Sequence, residues 1–255
     1  MDKQSLKTFL DEKYNFYDHP QWIVDDPIAI PHNFTKKQDV EISGFLAAVI
    51  AWGNRKSILN NAKRILMIMD NAPHEFILQH SKKDLKECDG FVHRTFNAND
   101  LKYFFMSLQQ IYRDFDTMDD LFAFLIGKGK FQQSTLSYFK EYFFRIDHPF
   151  KREKHLSDPK KNSAAKRLNM FLRWMVRKDQ HGVDMGIWKS ISPAELSCPL
   201  DVHTGNVARK LGLLKRKQND AKAVKELDDN LRQLDAKDPV KYDISLFGLG
   251  VYEGF

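Results

Sequence analysis

Apolar residues recur at helical spacing in nearly every segment of this chain, and no segment alternates apolar and polar residues for more than a few positions. Ile58, Leu59, Ala62, Ile65, Leu66 and Met69 mark one helical face, and Leu168, Phe171, Leu172 and Met175 mark another. With so few candidate strands, sheet-based folds are excluded. Only 12 Gly and 9 Pro in 255 residues argue the same way, because an all-β chain needs many tight turns. The pattern predicts an all-α protein of roughly ten helices, and the 20 Phe supply bulk for packing them.

Local signals place the helices. Leu6, Phe9, Leu10 and Tyr14 open a first helix, and VEISGFLAAVIAW after Asp39 reads as a buried central helix that Gly53 interrupts. Asn99 and Asp100 are cap candidates for LKYFFMSLQQIYRDF. Thr117 with Asp120 resembles a capping box, and Gly127 and Gly129 end the helix that follows. The text turns polar and loop-like from Lys151 to Ser163, and KRLNMFLRWMV then reads as an amphipathic helix. Ser192-Pro193-Ala194-Glu195 predicts a short helical turn. The composition change near residue 150 divides the chain into a lobe over 30–150 and a lobe over 151–255. The N-terminal helix, within 1–29, is expected to pack on the second.

Two cysteines 110 residues apart exclude a cysteine-rich metal or iron–sulfur frame, so no metal and no cofactor is expected. MDKQSLKTFLDEKYNF has no apolar signal core, and apolar runs of about eight residues are far short of a membrane span. A soluble monomer of a reducing compartment, with no membrane partner, is the expectation. Net charge is +6, yet residues 151–178 hold ten Lys and Arg against Glu153 and Asp158. A basic stretch on a near-neutral body suits contact with a phosphate backbone, although a solvated loop and helix face has the same composition.

Two pieces carry possible chemistry. Lys166, Asn169, Arg173 and Arg177 are spaced to form one polar stripe on the helix predicted over 166–178. Lys166 stands at its N-terminal end, where the helix dipole favours a neutral, nucleophilic amine. An ordinary exposed lysine has the same sequence signature. In Cys198-Pro199-Leu200-Asp201-Val202-His203, Asp201 opens the next helix. It is either an N-cap alone or a cap that also presents one oxygen to a site.

These segments together resemble the helix-hairpin-helix DNA glycosylases, most nearly the 8-oxoguanine DNA glycosylase/lyase branch. Lys166 matches the hairpin lysine, PLDVHTGNVARKLGL (199–213) matches the aspartate segment, and 160–250 is similar to a bacterial family within that superfamily. EISGFLAAVIAWGN is similar to the first core helix, with Asn54 and Arg55 at the end that enters the duplex. The resemblance implies a two-lobed helical bundle with a helix-hairpin-helix motif and a cleft between its lobes. It implies removal of an oxidised purine such as 8-oxoguanine from damaged double-stranded DNA, by base flipping and attack of Lys166 at C1′, with Asp201 stabilising the sugar cation. A cytoplasmic, nucleoid-associated location goes with that role. Contacts to DNA would come from Asn54, Arg55, Lys160, Lys161, Asn162, Arg167, Arg173 and His203. Trp52, Phe171, Trp174 and Trp188 are either stacking platforms or core. Asn162 and Ala164 stand where the family hairpin has Gly-x-Gly. The 35 residues from Lys166 to Asp201 imply an extra helix if the two are to meet. The rival reading is a non-catalytic nucleic-acid-binding protein on the same scaffold. A weaker rival is a helical scaffold for protein partners, without nucleic acid.

Overall fold

The computed structural model describes residues 2–255. They are predominantly helical, with α1 Lys3–Tyr17, α2 Lys37–Val49, α3 Arg55–Ile68, α4 Pro73–Gln79, α5 Ala98–Asp114, α6 Met118–Ile126, α7 Gln133–Phe143, α8 Lys166–Val176, α9 Val202–Lys210, α10 Ala221–Leu234 and α11 Lys241–Tyr252. A two-stranded antiparallel hairpin, β1 Val92–His93 and β2 Phe96–Asn97, lies before α5. No helix of the described residues is long and apolar enough to cross a membrane.

The predicted faces are buried. Ile58, Ala62, Ile65 and Leu66 of α3 are core, as are Leu168, Phe171, Leu172 and Met175 of α8. The capping chemistry holds with small shifts. Asn97, not Asn99, caps α5 in a box with Asp100. Thr117 Oγ1 accepts from Asp120 N at 3.1 Å and donates to Asp120 Oδ2 at 2.6 Å.

The chain forms two compact units. Unit 1 comprises residues 1–22, 129–137 and 157–255, so α1 belongs with the C-terminal helices and 129–137 joins them. Unit 2 comprises 23–128 and 138–156. In unit 1, α1 and α9 both pack on α11. Leu6, Leu10, Leu200, Val207, Leu227, Leu231, Leu246 and Leu249 form its core. Gly248 permits that approach. A Cβ there would overlap the Tyr17 ring, so even alanine forces α1 and α11 apart. In unit 2, Phe45 of α2 lies against Phe139 and Phe143 at ring centroids of 5.7 and 5.4 Å. Buried Glu41 accepts hydrogen bonds from Tyr112 Oη, Met118 N and Asp119 N, so its lone pairs stay satisfied away from water.

The 35-residue interval contains no α-helix between α8 and α9, contrary to the extra helix expected there. Asp179 gathers the segment instead, accepting at Oδ1 from His181, Gly182 and Val183 N and at Oδ2 from Asp184 N. Met185 N and Trp188 N then donate to the last turn of α8, at Trp174 O and Met175 O. A carboxylate collecting several backbone N–H groups stabilises a loop that helix propensity alone would not predict. The 3-10 turn Pro193–Glu195 forms with the full capping box that its sequence announces.

Candidate active site

Lys166 is the first residue of α8, and the turn before it is built by side chains. Asp158 accepts from Lys160 N and Ser137 Oγ. Asn162 is left-handed, at φ +62°, a conformation that asparagine tolerates. Its carbonyl accepts from Ala221 N, Ser163 bridges Asp220, and its amide donates to Asp220 Oδ2 at 3.1 Å. Arg216 Nε donates to Asp220 Oδ1 at 2.7 Å, and its Nη2 pairs with the other oxygen. This guanidinium holds the Asp220 carboxyl well below the usual carboxylate range.

The turn has a second left-handed residue, and it is not Ala164 but the next one. Ala164 has no positive φ, whereas buried Ala165 sits at φ +46° and ψ +35°. A non-glycine residue there costs roughly 1–2 kcal/mol. Asn169 offsets that strain, since its N donates to Ala165 O and its Nδ2 to Ala164 O. Gln133 Nε2 donates to Asn169 Oδ1 at 2.9 Å and fixes the amide. Asn169 is thus a buried brace of the turn rather than a member of an exposed stripe.

Asp201 serves as the N-cap of α9, and its Oδ1 accepts from Thr204 N at 3.0 Å. Its Oδ2 lies 3.6 Å from Lys166 Nζ. The side chains are about 30% and 22% exposed, so the pair is open to a ligand. Lys166 is the first residue of α8 and Asp201 the N-cap of α9, so the amine and the carboxylate both stand at the positive ends of helices. Capping and presentation coexist in Asp201 because its two oxygens point different ways.

A buried carboxylate lies behind this pair. Asp243, in the first turn of α11, accepts from Arg173 Nη1 at 2.6 Å, Thr204 Oγ1 at 3.4 Å and Cys198 Sγ at 3.6 Å. Burial pushes its carboxyl up, and the Arg173 guanidinium works against that. The Asp201 charge raises it further and Lys166 lowers it, so the three groups share one field. Asp243 escaped sequence reasoning, although one acid inside the apolar run VKYDISLFGLG was a usable signal. Burial and the charge of Asp243 also push the Cys198 thiol up, leaving it an inert neutral donor.

Arg173 and Arg177 are corrections to the predicted basic surface. Arg173 also donates to Asp184 at 3.2 Å, and its side chain is only 11% exposed. Arg177 is buried, bound to Asp184 at 2.6 Å, Asp238 at 2.9 Å and Tyr14 Oη at 2.6 Å. Both guanidiniums are occupied by internal carboxylates, so Arg173 is withdrawn as a DNA contact.

Lys160, Lys161 and Asn162 are exposed, and Arg167 is partly buried. His203 is exposed in the first turn of α9, its ring edge-on to Phe247 at 6.4 Å. Asn54 caps α3 through Ser57 N, with partly buried Arg55 beside it in unit 2. Phe171, Trp174 and Trp188 are core, and Trp52 is partly buried against His93. Among the described residues, no group of three or more His, Cys, Asp or Glu is spaced to hold a metal ion.

A family model described as a protein of unknown function (DUF2400) matches residues 26–252. No curated protein and no solved structure matches the chain.

Proposed function

The chain belongs to the DUF2400 family, and from that premise, which assigns no activity, we propose that it is a DNA base-excision glycosylase with AP-lyase capacity. The proposed substrate is duplex DNA carrying an oxidised purine such as 8-oxoguanine. We read residues 158–165 with α8 as the hairpin and second helix of a helix-hairpin-helix motif. The observation that carries the reading is the approach of Lys166 Nζ to Asp201 Oδ2 at the starts of two helices.

The chemistry follows from those groups. Breaking an N-glycosidic bond leaves positive charge on the sugar, and the ionised Asp201 beside C1′ stabilises it. Once its ammonium has lost a proton to solvent, the Lys166 amine gives its electron pair to C1′ while the C1′–N bond breaks toward the purine. The amine's proton and the expelled purine anion combine as neutral base. Opening of the sugar ring then leaves an imine between C1′ and Nζ, and loss of a C2′ proton expels the 3′ phosphate. The target base must leave the stack for any of this to occur. Exposed Lys160, Lys161 and His203 supply candidate phosphate contacts near the pair, and Asn54 and Arg55 remain candidates to fill the vacated stack.

The test is borohydride trapping on abasic and 8-oxoguanine duplexes. The wild-type chain is expected to form a covalent adduct that Lys166→Gln cannot form. Duplex binding without any adduct would favour the non-catalytic nucleic-acid-binding alternative.

A further inference from the structure

Residues 209–225 carry seven Lys and Arg against one acid, Asp220. In the folded chain this segment is the end of α9, a loop, and the start of α10. The loop touches both halves of the candidate site. On one side Asp220 holds Asn162 and bridges Ser163, in the turn that precedes Lys166. On the other, Asn219 Nδ2 donates to the Asp201 carbonyl at 2.9 Å. Gly205 in the first turn of α9 makes room for that hydrogen bond, because a Cβ there would lie 2.8 Å from Asn219 Oδ1.

The loop is also fixed from within. Arg209 Nε donates to Arg216 O at 2.8 Å, and its Nη2 donates to Lys217 O at 2.9 Å and Asn219 Oδ1 at 2.6 Å. Glu226 accepts from Lys215 N and Arg216 N. The acids and arginines of this region are therefore spent on backbone and on each other. Lys215, Lys217 and Lys222 remain exposed and form no ion pair among the described residues. Lys215 and Lys217 on the braced loop and Lys222 in the first turn of α10 thus carry three ammonium groups without an ion-pair partner, on a segment bonded through Asp220 and Ala221 to the turn that follows exposed Lys161.

We infer that Lys215, Lys217 and Lys222 form a second phosphate-binding surface for duplex DNA, continuous with the turn at Lys160 and Lys161. This inference rests on the DNA reading above, and commits to the duplex backbone as the occupant. A phosphate held by the loop would be registered against Lys166 and Asp201 together, because the loop is bonded to the segments that position both. The geometry also explains how a basic surface survives the commitment of Arg173 and Arg177 to internal carboxylates.

The experiment measures binding of the full chain to an undamaged duplex as salt is varied. Each neutralised phosphate contributes roughly 0.9 to the slope of log affinity against log salt. The triple variant Lys215→Gln, Lys217→Gln, Lys222→Gln is therefore expected to have a slope shallower by between about 2 and 3. A control, Lys82→Gln, Lys83→Gln, Lys86→Gln, removes the same charge from exposed positions in unit 2 and is expected to leave the slope near wild type. An unchanged slope in the first variant, an equal decrease in the control, or no duplex binding at all overturns the inference. Trapping separates it from the glycosylase reading. Lysine-dependent binding without trapping supports the surface and sinks the enzyme. Trapping with an unchanged slope does the reverse.

Discussion

The two ends of α8 carry the same kind of residue on the same stripe and meet opposite fates. Lys166 at the N-terminal end is about 30% exposed and faces one carboxylate at 3.6 Å. Arg173 and Arg177, two and three turns on, are packed among Asp184, Asp238 and Asp243. The first end is loosely paired and open to a ligand, and the second is closed. Desolvating two arginines carries a large cost, which only several well-placed carboxylates and a tyrosine hydroxyl offset. The contrast shows why a local charge count misleads. The ten basic residues of 151–178 include Arg173 and Arg177, both withdrawn from the surface to neutralise acids elsewhere in the chain.

The largest loss is expected at Lys166. Lys166→Gln should abolish borohydride trapping while moving the unfolding midpoint little, because a partly exposed ion pair contributes about 0–1 kcal/mol. A trapped adduct in that variant ends its assignment as nucleophile. At the closed end the outcome reverses. Arg177→Met strands Asp238, leaves Asp184 with Arg173 alone, and should cost about 3–5 kcal/mol in urea unfolding. A cost under about 1 kcal/mol would mean that the network is not holding unit 1 together.

Asp201→Asn sharpens the contrast between cap and catalyst. Asparagine caps a helix about as well as aspartate, so the melting temperature should stay near native. Removing the charge beside C1′ should slow base excision by roughly 10²–10³. A well-folded variant with native excision would leave Asp201 as a cap alone.

The smallest effect concerns a buried acid without a guanidinium at close range. Asp228 accepts from Cys198 N at 2.9 Å, and Arg232 is 3.8 Å away. Burial raises its carboxyl from an ordinary 3.8 to about 6. The folded chain thus holds this proton more tightly than the unfolded chain. The associated stability is present below about pH 4 and is lost as pH rises through 6. A shift of about two pH units corresponds to at most about 3 kcal/mol. Asp228→Asn should therefore raise the melting temperature at pH 7, with a gain that shrinks toward pH 4. A gain independent of pH would show that Asp228 titrates normally.

Much of the helix content was legible because an amphipathic helix writes its buried face locally, at intervals of three and four residues. Leu168, Phe171, Leu172 and Met175 needed no partner to be named as core. Asp201 was legible as a cap for the same reason, since its hydrogen-bond partner is three residues away. The sequence alone therefore determined the all-α character, most helix positions, and a lysine and an aspartate each opening a helix. Tertiary structure decided the rest. It set Asn162 and Ala165 left-handed, made Asn169 a brace, and replaced an expected helix after α8 with a loop organised by Asp179. It also brought Asp243 behind the candidate pair and sorted exposed lysines from buried arginines. Each of these depends on which groups meet across tens of residues and how far water is excluded when they do. Charge pairing, desolvation and backbone strain are set by three-dimensional neighbours, and no local spacing in the chain encodes them.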